Sequence, residues 1–163
     1  MRKLLLGLLM VCLWACGSPQ AAATPTPVAR SGPIAISDVW IRATAFGEPA
    51  STPGEHNSLE PGWSSAVYLQ IDNSGDTPDQ LLRASTDIAR LVELHQSINQ
   101  NGTGQMRYVE GIEIPAHSQL TLRSGGFHLM LVDLKRDLHR GETVQITLEF
   151  AQAGTISVPA EVR

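Results

Sequence analysis

Cysteine is almost absent. The chain has two, Cys12 and Cys16, and none beyond residue 16. Everything downstream therefore lacks both a disulfide and a thiolate metal ligand, and must be held by its own core. Charge is sparse as well: Asp, Glu, Lys and Arg make up 17% of residues, the net charge is −4 and the pI about 5.7. No run of Lys or Arg is longer than two residues. A nucleic-acid partner is thus disfavoured, because phosphate binding needs a basic footprint. No apolar run reaches the ~20 residues that a permanent membrane helix requires. No Gly-x-Ser-x-Gly turn or other nucleophile motif is present, and the chain does not read as an enzyme. What remains is a chain of 163 residues with 42% hydrophobic content. That is ordinary globular composition, enough for one domain with a real core.

The N-terminus reads as an export signal. Arg2 and Lys3 precede an apolar run over residues 4–13, the form of a secretory signal peptide. The run ends in Leu13-Trp14-Ala15-Cys16, which resembles a bacterial lipobox, with Trp14 where a small residue is usual. The resemblance implies cleavage after residue 15 and acylation of Cys16, so that the protein is lipid-anchored outside the cytoplasm, periplasmic or on the cell surface. An ordinary signal peptide cut nearby is the alternative. Loss of residues 1–15 would remove two cations and no acid, leaving the remainder more acidic than the whole chain. Residues 16–33, rich in Pro, Ala and Thr, read as a tether. The folded domain is expected over residues 34–163.

From Ile34 onward the pattern is short strands and turns. Ile34 and Ile36, then Val39 and Ile41, open it. Ala66-Val67-Tyr68-Leu69-Gln70-Ile71 alternates and stops at Asn73-Ser74-Gly75-Asp76. Further strands are expected over residues 80–84, 90–95, 105–110, 112–114, 120–122, 127–131, 144–148 and 156–162. Pro159 marks an edge or bulge in the last. Residues 131–138 have room for one helical turn, but no stretch has a sustained helical period. Eight or nine strands at such spacing predict an all-β antiparallel sandwich or barrel. Residues 46–63 read as a long polar loop that contains His56 and ends in Trp63; loops of this length are usually functional or mobile.

The chemistry concentrates in two histidines and two methionines. Beyond the signal segment the only methionines are Met106 and Met130. In Gly126-Phe127-His128-Leu129-Met130-Leu131, strand alternation puts Phe127, Leu129 and Leu131 on the core face and His128 with Met130 on the other. Leu91, Glu93 and His95 likewise share a face. A thioether is a soft neutral ligand that favours Cu(I), and neutral imidazole also suits copper. Two of each make an uncharged donor set, poor for structural zinc.

The full spacing carries a resemblance. His95, ten residues, Met106, twenty-one residues, His128, one residue and Met130 is similar to the signature of the PCu(A)C-type periplasmic copper chaperones. The flanks agree: Val92-Glu93-Leu94-His95, Val109-Glu110-Gly111-Ile112-Glu113-Ile114-Pro115-Ala116 and Gly125-Gly126-Phe127-His128-Leu129-Met130-Leu131. The loop 46–63 is longer than is typical there. The resemblance, over roughly residues 34–160, implies a cupredoxin-like Greek-key fold and one Cu(I) held by His95, Met106, His128 and Met130. It also implies transfer to a copper-accepting protein, such as cytochrome oxidase subunit II or an oxidase assembly factor, by a chaperone acting as a monomer. Storage or detoxification of copper is the alternative use of such a site. A metal-free β-sandwich interaction module is the alternative from another class.

Other residues have plainer readings. Met in a strand is most often core filler, and His95 could simply pair with Glu93. Glu93 could instead fix the tautomer of a ligating His95. His56 reads as a solvated loop histidine, or as an extra nitrogen ligand suited to Cu(II). His117 and His139 lie in turns. Trp40 and Trp63 read as core or rim packing. A blue-copper electron-transfer site is excluded, since it needs a cysteine thiolate.

Overall fold

The computed structural model describes residues 26–44, 64–100 and 103–163. The signal segment, Cys16, most of the tether, and the loop that holds His56 and Trp63 lie outside them. The described residues contain no helix and no span long and apolar enough to cross a membrane as one. They form eleven strands: β1 (Ala29–Ser31), β2 (Ile34–Ile41), β3 (Ser64–Asn73), β4 (Asp79–Ser85), β5 (Ala89–Gln100), β6 (Thr103–Tyr108), β7 (Ile112–Ile114), β8 (Ser118–Leu122), β9 (Phe127–Leu134), β10 (Thr143–Phe150) and β11 (Gly154–Val162).

All eleven belong to one sheet, in the order β6-β5-β9-β3-β2-β11-β10-β4-β7, with β1 added on β2 and β8 on β3. Every pairing is antiparallel except β11 with β2, which run parallel at Glu161↔Trp40 and Val162↔Ile41. The sheet curls around a single apolar core. Ile34, Ile36, Ile41, Val67, Leu69, Ile71, Leu94, Leu129, Leu131, Ile146, Leu148 and Val158 all lie in it, each no more than 3% exposed. These side chains recur at every second position, as a sheet with one buried face requires.

Three features differ from the strand pattern read above. Residues 29–31, taken as the end of the tether, pair with Ile34, Ala35 and Ile36, and Val28 N donates to Ile36 O at 2.7 Å. The tether composition hid a three-residue strand too short to show alternation. Residues 131–138 hold no helical turn: β9 continues to Leu134, and buried Leu138 fills the core from the bend beyond it. The break in phase between Ile36 and Ile41 is a bulge. Ser37 pairs with Gln70 but Trp40 with Tyr68, and Asp38 takes a left-handed φ of 45°, which aspartate tolerates better than most residues. The extra residue lets Ile36 and Ile41 both point inward and turns Trp40 outward beside Tyr68.

The inward side chain that separates the two candidate donors of β9 is Leu129, which is fully buried. Leu129→Ala is expected to destabilise the domain by ~2–5 kcal/mol, read as a lowered midpoint with unchanged slope in urea unfolding.

Candidate metal centre

Strand register decides which side chains meet. β5 and β9 pair antiparallel with His95 directly opposite His128 and Glu93 opposite Met130. β5 and β6 pair with His95 opposite Tyr108 and Ser97 opposite Met106. Directly opposed residues share a face, so His95, His128, Met130 and Met106 all stand on the outer face of the sheet, away from the core. The two imidazoles are the centre of the group. Each methionine is a diagonal neighbour of His95: Met130 on one side across β9, Met106 on the other across β6. Diagonal neighbours lie about 7–8 Å apart at the backbone, within reach of long side chains.

The imidazole rings sit edge to face, with centroids 5.8 Å apart. A metal–imidazole nitrogen bond is about 2 Å and a ring nitrogen about 1 Å from its centroid, so one ion between two rings holds the centroids about 6 Å apart. The observed 5.8 Å is close to that separation.

The hairpin between β8 and β9 sets His128. Gly125, at φ 77°, makes the turn, which is closed by Arg123 N donating to Phe127 O at 2.7 Å. A side chain in that left-handed position would be strained. The turn presents Gly126 O to Ser97 N at 3.0 Å and to His128 Nδ1 at 3.2 Å. His128 is 4% exposed. Its pKa lies below the ordinary imidazole value: burial lowers it most, the Gly126 hydrogen bond opposes this, and the charges of His95 and Arg42 lower it further. His95 is also largely buried, and its Nε2 lies 2.9 Å from Glu93 Oε2.

A row of rings continues from the histidines across the sheet. His128 lies 6.4 Å from Tyr68 and Tyr68 lies 4.4 Å from Trp40, between ring centroids. Arg42 donates to Tyr68 Oη at 2.8 Å and stands 5.9 Å over the same ring. Buried Tyr68 thus forms one wall of the centre, a role the sequence reading missed. Its alternation within β3 showed only that it opposes Leu69; its place beside His128 depends on β3 joining β9, which strand pattern does not encode. Trp40 is half-buried against that wall rather than in the core. At the opposite end Met106 is 64% and Tyr108 61% exposed, so the site opens toward solvent at β6. His117 pairs with Asp76 at 2.9 Å in an exposed turn and His139 is exposed, neither with any part in the group.

Among the described residues no three His, Cys, Asp or Glu side chains gather as a metal cluster. The potential donors that share this face are imidazole and thioether, a set suited to soft ions and poor for hard ones.

The family model described as "Putative lipoprotein LpqE-like" matches residues 34–162, and the chain belongs to that family. "Putative lipoprotein Lxx21020" of Leifsonia xyli is 27% identical over 152 residues, covering 93% of this chain and 82% of that protein. Among solved structures, the copper-bound PCuAC domain from PmoF2 superposes with a TM-score of 0.63 at 27% identity, covering 83% of this chain and 96% of that one. The solution structure of CuI-DR1885 from Deinococcus radiodurans superposes with a TM-score of 0.57 at 31% identity, covering 88% and 83%. The all-β, cupredoxin-like architecture expected from the sequence resemblance is the one observed, and the kinship with PCuAC-type domains holds in structure as in sequence.

The lowered pKa of His128 has a sign that can be checked. The unfolded chain binds a proton at His128 near ~6.5 and the folded one only lower, so neutral, folded protein is favoured above that range. This stability is lost as pH falls from ~6.5 through the folded value. The unfolding midpoint of the metal-free protein should fall over that interval, and fall less in His128→Gln.

Proposed function

We propose that this chain is an extracytoplasmic copper(I) metallochaperone. One Cu(I), its cargo, is held by His95, Met106, His128 and Met130. The observation that carries this reading is His95 standing opposite His128 on an outer sheet face, with one methionine on each diagonal. The solved PCuAC domain and DR1885 forms named as copper-bound lend their cargo to the argument.

The physical chemistry favours transfer. The four donors are neutral, so they add no charge to that of the ion, and no thiolate has to be displaced to release it. The site is shallow at the β6 end. Exposed Met106 and Tyr108 give an apolar rim where a recipient with stronger ligands can approach. The mechanism is ligand exchange, not catalysis. The recipient that the family resemblance points to is the copper site of cytochrome oxidase subunit II, reached directly or through an assembly factor. An acyl chain on Cys16 would hold the domain at the membrane through the tether; the lipobox-like Leu13-Trp14-Ala15-Cys16 and the lipoprotein name of the family support this.

Titration with Cu(I) against a chromophoric chelator tests the site. Wild type is expected to take up one equivalent. Met130→Leu, which keeps volume but removes the sulfur, is expected to bind at least 10–100-fold more weakly, the range seen for loss of mere outer partners of a ligand. Equal binding by both, or none by either, would refute the reading in favour of a metal-free module. Affinity should also fall between pH 8 and pH 5, because ligating imidazoles must be neutral. A deletion strain that loses oxidase activity at low copper would support donation; one that is only copper-sensitive would favour storage.

A further inference from the structure

The contacts of the two histidines call for opposite tautomers. A carbonyl oxygen only accepts, so the contact of His128 Nδ1 with Gly126 O at 3.2 Å puts the proton on Nδ1 and leaves the lone pair on Nε2. An ionised carboxylate also only accepts, so the 2.9 Å contact of His95 Nε2 with Glu93 Oε2 puts the proton of His95 on Nε2. The lone pair of His95 is then on Nδ1. That atom is buried and has no hydrogen-bond partner among the described residues. A buried acceptor without a donor is costly and demands an explanation.

We infer that Glu93 is a positioning residue that commits His95 to bind the ion through Nδ1, while His128 binds through Nε2. The inference rests on the copper reading above and deepens it. Glu93 is well placed for the task. It lies two residues before His95 on the same face of β5 and directly opposite Met130, so its carboxylate reaches the distal nitrogen of the ring without crossing the sheet. Its carboxylate charge also counters the positive charge of the loaded site, which the four neutral donors do not. The unpaired Nδ1 finds its partner in the ion.

Nitrogen chemical shifts decide the matter. With 15N-labelled histidine in the protein, long-range proton–nitrogen correlations distinguish protonated, free and metal-bound ring nitrogens. The metal-free protein should show His95 protonated at Nε2 and His128 at Nδ1. On addition of Cu(I), His95 Nδ1 and His128 Nε2 should shift and their partners remain protonated. A shift at His95 Nε2 instead would overturn the inference and leave the copper reading intact. No shift at either ring would refute both. Glu93→Ala should mix the His95 tautomers and weaken Cu(I) binding by 10–100-fold. Glu93→Gln, whose amide oxygen still accepts from Nε2, should keep the tautomer and most of the affinity. Wild-type tautomer and affinity in Glu93→Ala would also overturn the inference.

Discussion

The pairing of β5 with β9 is the constraint on which the site depends. A shift of one residue in that register would turn either His95 or His128 away from the other. The register is fixed from the inside: Leu94 faces Leu129 and Val92 faces Leu131, all buried in the common core. The apolar face of each strand thereby aligns the polar one. Core packing thus sets the register of the outer face, where the row of Trp40, Tyr68 and His128 adds packing of its own.

From that pairing the rest of the centre follows by adjacency. β6 adds Met106 and Tyr108 at the exposed edge; β3 and the bulged β2 add Tyr68 and Trp40 as a wall on the other side. The result is graded. His128 and Tyr68 are shut in, His95 is nearly so, Met130 is half-buried and Met106 is open to solvent. In the proposed copper reading, an ion is anchored at the closed end and approached at the open one. Each histidine is also oriented by a neighbour that costs the fold little, a turn carbonyl for one and a carboxylate two residues away for the other.

Much of this was legible in the sequence. Period-two alternation located most strands, and within 127–131 it separated the core residues Leu129 and Leu131 from His128 and Met130, since side-chain direction is a local property. The His-Met spacing located the four candidate donors. Long-range facts were not legible. β1 is too short and too rich in linker-like residues to show a pattern. The bulge at Asp38 is visible only as a change of phase between Ile36 and Ile41. The wall of Tyr68, Arg42 and Trp40 arises from sheet order, which no periodicity records. Glu93 was legible as a neighbour of His95 on one face, but the nitrogen it holds required the side-chain geometry.

X-ray absorption at the copper edge of the Cu(I)-loaded protein tests the central claim most directly, because it counts the donors and names their elements. The account predicts two nitrogen and two sulfur neighbours, with one sulfur lost in Met106→Leu and one in Met130→Leu. A first shell of nitrogen and oxygen alone, unchanged by either substitution, would contradict it.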